Sequence, residues 1–293
     1  MMRPRRPFIR RRPRLEPRRP RRLKGLPLNM LLPNMLTTLA LSAGLTAIRF
    51  GIQERYEHAV LAIVIAAIFD ALDGRIARLL NGASRFGEEL DSLSDVISFG
   101  VAPGMLLYMW VMKDGGGLGW IAVLAFSVCC ALRLARFNSA LGNPDLPPWA
   151  FKYFTGVPAP MGGALVLLPM MLSFETGPGV LDHPLLVGPW AVGVGALMIS
   201  RWPTFSLKGI RVPPHYVVPV LVGVGLTAAL LVVAPWVTLA ILGLLYLGSL
   251  PFSLLQFRRL SRETARLKAE AQEAGEGQVE PAGTAAGEGV SPS

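Results

Sequence analysis

Apolar stretches separated by short polar ones follow one another from Pro33 to about residue 257. As a helix, a run of about 20 apolar residues crosses the ~30 Å hydrocarbon layer of a bilayer. The pattern therefore predicts an all-α fold, a polytopic membrane helix bundle. Eight spans are expected, at about residues 34–52, 58–80, 90–112, 118–139, 157–175, 184–201, 214–233 and 235–257.

The two ends of the chain differ in composition from this apolar body. The first 25 residues hold 12 of the 29 Lys and Arg side chains and many prolines, whereas residues 269–293 are rich in Ala, Glu, Gly and Pro. Segments with so little to bury stay disordered. We predict a disordered tail over 1–25, a transmembrane catalytic domain over 26–257, a basic interfacial segment over 258–268 and a second disordered tail over 269–293.

The basic N-terminal segment could attract either anionic lipid or nucleic acid, because both present phosphates. Beside a membrane domain, anionic lipid is the favoured partner, and no nucleic-acid partner is expected. Cationic loops also indicate orientation, since Lys and Arg concentrate on the cytoplasmic side. One side of the eight-span pattern carries most of them, so both termini are predicted to be cytoplasmic. These residues are Arg75, Arg78, Arg85, Arg133, Arg136, Lys152, Arg201, Lys208, Arg211, Arg258 and Arg259.

Four aspartates lie on that same side, between two apolar runs. Asp70 and Asp73 are three residues apart and Asp91 and Asp95 are four apart, so each pair shares a helix face. Asn81-Gly82 is typical of a helix end, and Ser84 is typical of a helix start. A helical hairpin would therefore bring four carboxylates to one point.

Clustered carboxylates repel one another unless cations neutralise them, and oxygen ligands select Mg²⁺, Mn²⁺ or Ca²⁺. Arg75, Arg78 and Arg85 add positive charge suited to phosphate. The combination indicates metal-assisted phosphoryl transfer on a lipid. A structural ion-pair network and an intramembrane ion or proton carrier are the alternatives, because membrane acids also serve those roles.

The spacing Asp70-x2-Asp73-Gly74-x2-Ala77-Arg78-x8-Gly87-x3-Asp91-x3-Asp95 resembles the signature of the CDP-alcohol phosphotransferase family at every defined position. The resemblance implies a six-helix core with about two further spans, a homodimer, and transfer from a CDP-linked lipid or alcohol with release of CMP. It implies that Mg²⁺ or Mn²⁺, two ions per site, is bound by Asp70, Asp73, Asp91 and Asp95, and that Asp95 is the general base. It assigns the CDP pocket to Asp73, Gly74, Ala77, Arg78 and Gly87.

Three further segments, 91–103, 131–138 and 154–160, are similar to bacterial integral-membrane members that use L-serine. The expected substrates are therefore CDP-diacylglycerol and L-serine, in the bacterial cytoplasmic membrane. Glycerol 3-phosphate or another alcohol is the alternative acceptor. Residues expected to bind the acceptor are Arg133, Arg136, Asn138 and Lys208. The alternative for the two arginines is ordinary anchoring at the cytoplasmic face.

Overall fold

A computed structural model of the chain describes residues 28–140, 153–200, 202–205 and 213–276. Ten α-helices lie in these ranges: α1 Leu28–Ile52, α2 Tyr56–Leu79, α3 Arg85–Asp95, α4 Ala102–Trp110, α5 Gly116–Ala140, α6 Ala159–Val166, α7 Leu168–Thr176, α8 Pro184–Ile199, α9 Val217–Val233 and α10 Pro235–Glu276. A π-helical segment, Val96–Val101, joins α3 to α4. The described residues also contain two short strands, β1 (Tyr153–Thr155) and β2 (Pro203–Phe205).

Each of the eight predicted spans corresponds to helix in the structure. Five helical stretches within the described residues are long and apolar enough to cross a membrane: Leu31–Ile52, Arg85–Trp110, Met112–Ser139, Ala159–Thr176 and Pro235–Leu255. Two shorter apolar helices, α8 and α9, accompany them. Charged side chains such as Asp70 and Arg78 interrupt the apolar sequence of α2. The predicted fold class, a polytopic membrane helix bundle, is confirmed.

The core lies where α1, α2, α4, α5 and α6 meet around the π-helical segment. Small buried residues such as Ala47, Ala59 and Ala66 allow α1 and α2 to approach closely, as small residues do between membrane helices. Phe99 and Phe126 fill the centre of the core. This packing holds the polar ends of α2 and α3 beside α1.

A two-stranded antiparallel ribbon, absent from the sequence-based prediction, joins two connections on the same side of the bundle. Phe154 pairs with Thr204, and the backbone N–H of Gly156 donates to the carbonyl of Trp202 at 2.8 Å. Gly156 has a φ of 80°, and a Cβ there would collide with the carbonyl of Met198. Only glycine suits this backbone conformation and this close approach.

The chain ends differ in part from the prediction. Helix α10 is continuous to Glu276, so it includes the predicted interfacial segment 258–268 and residues 269–276, for which disorder is predicted. Ala, Glu and Gln make up seven of the eight residues 269–276 and are strong helix formers, which explains the helix there. The predicted tail over 1–25 and residues 277–293 lie outside the described residues.

Candidate active site

The end of α2 and the start of α3 reverse the chain as their sequence predicts. Asn81 has a φ of 49°, and the N–H of Gly82 donates to the carbonyl of Ala77 at 2.9 Å. This pattern is a Schellman-type helix end. Ser84 then caps α3, because its side chain accepts from the N–H of Gly87 at 3.1 Å. The predicted helix stop and start are both confirmed.

Three of the four signature aspartates form a close carboxylate cluster, and they come from both helices. One carboxylate oxygen from each of Asp70, Asp91 and Asp95 lies within 4.8 Å of the other two, and all three residues are half-buried. Anionic oxygens this close repel one another unless a cation or a shared proton lies among them. Oxygen donors in this number suit Mg²⁺ or Mn²⁺. The residues present therefore fit a divalent cation.

Asp73 lies outside that three-carboxylate cluster and is held by a different partner. Its side chain is only 4% exposed, and its Oδ2 accepts a hydrogen bond from the hydroxyl of Thr37 at 2.6 Å. Asp73 instead lines a cleft of about 100 Å³ between α1, α2 and the start of α3.

That cleft contains four of the five residues assigned to the CDP pocket: Asp73, Gly74, Ala77 and Gly87. Arg78, the fifth, is exposed. Its Nη1 lies 3.8 Å from the position that a Cβ on Gly74 would occupy, so the guanidinium is beside the cleft. Asp91 also lines the cleft, which connects it to the carboxylate cluster.

The two cleft glycines lack side chains for different reasons. A Cβ on Gly87 would lie 2.7 Å from Oδ1 of Asn34 and 3.1 Å from the hydroxyl oxygen of Ser84, so it would force the Asn34 side chain to move and crowd the Ser84 cap. A Cβ on Gly74 would meet, among the described residues, just the Arg78 guanidinium at ordinary contact distance. The space in front of Gly74 is therefore open to a ligand.

The residues expected to bind the acceptor do not form one group. Arg133 faces the site: it is 8% exposed and lies within electrostatic range of Asp95 and Asp70. Its buried Nε has no hydrogen-bond partner among the described residues. Lys208 lies outside the described residues.

Arg136 and Asn138 instead contact neighbouring helices. Arg136 donates from Nη1 to the carbonyl of Ile199 at 2.6 Å and from Nη2 to that of Ser200 at 3.3 Å, at the C-terminal end of α8. A cation at a helix C-terminus is favourable in itself. Asn138 donates from Nδ2 to the hydroxyl oxygen of Ser92 on α3 at 2.8 Å. Both side chains are thus in contact with neighbouring helices.

The sequence matches the profile of the CDP-alcohol phosphatidyltransferase family over residues 30–202, and that of the group described as CDP-alcohol phosphatidyltransferase 2 over residues 215–251. The chain belongs to the CDP-alcohol phosphatidyltransferase family.

Several similar proteins carry the name CDP-diacylglycerol–serine O-phosphatidyltransferase. The protein from Mycobacterium leprae is 39% identical over 236 residues, which cover 80% of this chain and 78% of that protein. The Helicobacter pylori protein is 36% identical over 185 residues, with 62% and 76% covered. The Bacillus subtilis protein is 34% identical over 170 residues, with 58% and 87% covered.

Some residues at the site are not among those predicted from the sequence. Thr37 and Asn34 line the cleft from α1, at positions that read in the sequence as part of the first span. The π-helical segment begins directly after Asp95. Ser98, within it, donates to the carbonyl of Ala40 at 3.3 Å. π-Helical turns frequently occur at functional sites, but no local sequence signal identifies one.

Proposed function

We propose that this protein transfers the phosphatidyl group of CDP-diacylglycerol to the hydroxyl of L-serine, giving phosphatidylserine and CMP. The observation that carries the proposal is the three-carboxylate cluster of Asp70, Asp91 and Asp95 beside the cleft. The chain's similarity to enzymes named for this reaction, from three bacterial genera, supports serine as the acceptor.

Asp70, Asp91 and Asp95, together with Asp73, would hold divalent cations, for which we propose two Mg²⁺ or Mn²⁺ ions. Such ions offset the charge of a diphosphate and stabilise the leaving group of an in-line displacement. The close approach of the three carboxylates supports this role, because their mutual repulsion is relieved when cations bind. Asp73 would contribute from the cleft side, where Thr37 orients it.

In the proposed reaction the serine oxygen forms a bond to the phosphatidyl phosphorus, and the bond from that phosphorus to the CMP oxygen breaks. Asp95 accepts the proton that the serine hydroxyl loses. Its position at the end of α3, in the carboxylate cluster and near Arg133, supports this assignment. A carboxylate placed to take this proton is expected to contribute about 10²–10⁴-fold to the rate.

The cleft would hold the CDP group. Gly74 and Ala77 leave room for it, and Gly87 allows the close packing that forms the cleft wall. Asp73 faces the same space, and Arg78 beside it would pair with a phosphate. The open space in front of Gly74 supports this assignment most directly. Among the described residues, the Arg78 guanidinium alone comes within contact distance of the position that a Cβ on Gly74 would occupy.

Arg133 is the proposed partner of the serine carboxylate. Arg133 is charged and buried, and its Nε has no hydrogen-bond partner among the described residues. These features support that role, because an anionic partner stabilises a buried guanidinium. Arg136 and Asn138 would support the acceptor site indirectly, through the contacts that they make to α8 and α3. Lys208 is also a proposed acceptor contact, and its position in the sequence is the one observation that supports it.

The distribution of Lys and Arg supports an orientation with the site and both termini on the cytoplasmic side of the bacterial inner membrane. A transmembrane catalytic domain over 26–257 between two tails, and a homodimer, are the corresponding proposals for domain organisation and assembly. Access of a membrane-impermeant thiol reagent to single cysteines placed in the predicted loops would test the orientation. The mass of the detergent-solubilised protein would test the dimer.

The decisive experiment offers the purified protein CDP-diacylglycerol and Mn²⁺ or Mg²⁺, with L-serine or glycerol 3-phosphate in separate reactions, and follows CMP release. CMP that appears with serine alone is the expected result. CMP that appears with glycerol 3-phosphate alone would overturn the acceptor, and a lack of CMP in both reactions would overturn the proposed transfer.

A further inference from the structure

The two halves of the aspartate cluster are carried by different helices, and both helices pack on α1. Asp70 and Asp73 lie on α2, whereas Asp91 and Asp95 lie on α3. Helix α1 packs along α2 and also contacts α3 and the π-helical segment. A residue of α1 that bonds to both sides would therefore fix the two carboxylate pairs relative to each other.

Thr37 makes both connections. Its hydroxyl donates to Oδ2 of Asp73 on α2 at 2.6 Å, and its backbone carbonyl accepts from the hydroxyl of Ser94 on α3 at 3.3 Å. All three side chains are buried, and Thr37 itself is 3% exposed. Water therefore cannot readily replace either bond.

The bond to Asp73 is the stronger of the two that the Thr37 hydroxyl could form. The same oxygen lies 3.1 Å from the carbonyl of Pro33, but a hydroxyl has a single proton, and a carboxylate at 2.6 Å is the better acceptor. The bond occupies one carboxylate oxygen of Asp73 and fixes the rotation of the group. The backbone N–H of Gly74 also donates to this carboxylate, which lines the cleft and so presents a fixed orientation to a ligand there.

We propose that Thr37 is a positioning residue of the metal site: through its hydroxyl it orients Asp73, and through its carbonyl it aligns α3 with α2. The inference rests on the proposed function only in taking Asp73 as a metal ligand. Groups that orient metal ligands in this way typically change metal affinity or activity by about 10–100-fold when they are removed.

The test compares Thr37→Val with Thr37→Ser in the full-length protein in detergent. Valine keeps the shape and branching of threonine and removes the hydroxyl, whereas serine keeps the hydroxyl and removes the methyl group. Thr38→Val is the matched control, because Thr38 is the exposed neighbour whose hydroxyl donates within α1, to the carbonyl of Asn34 at 2.7 Å. Mn²⁺ binding without substrate, followed by electron paramagnetic resonance, is the primary readout, and thermal melting without metal monitors folding.

We expect Thr37→Val to weaken Mn²⁺ binding by about 10–100-fold, and Thr37→Ser and Thr38→Val to bind as the wild-type protein does. In turnover, Thr37→Val should need correspondingly more Mn²⁺ for half-maximal rate and should recover much of its kcat at saturation. Wild-type Mn²⁺ affinity in Thr37→Val would overturn the inference. So would equal losses in the valine and serine variants, because the methyl group would then be responsible.

Failure of the proposed function gives a different result. In that case the wild-type protein releases no CMP from CDP-diacylglycerol and serine, whatever its affinity for Mn²⁺. The binding comparison between Thr37→Val and Thr37→Ser still decides the positioning role, since it needs no substrate.

Discussion

Alanine at the two glycines of the cleft is expected to have opposite effects on the stability of the protein. A methyl group on Gly87 would lie 2.7 Å from Asn34 Oδ1, which would have to shift, and 3.1 Å from Ser84 Oγ, which caps α3 by accepting from the Gly87 N–H. A methyl group on Gly74 would lie 3.8 Å from Arg78 Nη1, at an ordinary contact distance. Gly87→Ala therefore strains the protein, whereas Gly74→Ala occupies space that belongs to the ligand.

The magnitudes follow from the contacts. Overpacking of a well-packed site costs about 1–3 kcal/mol, and disturbance of the Ser84 cap costs up to about 1 kcal/mol more. Replacing a helical glycine by alanine raises the free energy of unfolding by about 0.5–1 kcal/mol. The free energy of unfolding of Gly87→Ala should therefore fall by about 2 kcal/mol, whereas that of Gly74→Ala should rise by about 0.5–1 kcal/mol.

Thermal melting in detergent and titration with CDP-diacylglycerol separate the two effects. Gly87→Ala should melt below the wild-type protein. Gly74→Ala should melt at or above it, with a KM for CDP-diacylglycerol about tenfold higher, the low end of an overpacking cost. A Gly87→Ala protein as stable as the wild type, or a Gly74→Ala protein with unchanged KM, would refute the assignment of the cleft.

Three further predictions concern the residues around the carboxylate cluster and the N-terminal segment. Asp95→Asn should lower kcat by about 10²–10⁴-fold while CDP binding, measured by calorimetry at saturating Mn²⁺, stays near wild type; wild-type turnover would contradict its role as base. Arg133→Gln should raise the KM for serine at least about tenfold, because a charged hydrogen bond contributes about 1.5–3 kcal/mol. Arg136→Gln, the comparison variant, should lower the melting temperature and raise that KM less than Arg133→Gln does, and the reverse pattern would exchange their roles. Deletion of residues 1–25 should reduce binding to anionic vesicles and spare CMP release in detergent, and loss of release would make the segment part of the site.

Much of the site follows from local rules. The helix end at Asn81-Gly82 and the cap at Ser84 depend on residues within one turn, so the sequence predicts the reversal between α2 and α3 correctly. The spacing of Asp91 and Asp95 places them on one face of α3, and the reversal brings them to Asp70. Helix periodicity and the single loop between α2 and α3 are therefore enough to predict that these three carboxylates lie close together.

The remaining features depend on contacts between distant parts of the chain. Thr37 is 36 residues from Asp73, and a threonine in an apolar helix more often bonds within its own helix, as Thr38 does. The contact of Arg136 with the carbonyl of Ile199 at the end of α8 joins residues that are 63 positions apart in the sequence. An arginine near a helix end fits both anchoring and binding, so the sequence alone does not predict that contact. The β-ribbon likewise pairs two three-residue segments that carry no strand pattern of their own.

The most direct test of the account follows both products of one reaction. Isotope-labelled serine is incubated with CDP-diacylglycerol, Mn²⁺ and the purified protein, and labelled phosphatidylserine is quantified by mass spectrometry beside CMP. We expect one labelled phosphatidylserine per CMP, and the loss of both products when a chelator removes the metal. CMP without labelled lipid, or undiminished product with the chelator present, would contradict metal-dependent phosphatidyl transfer to serine.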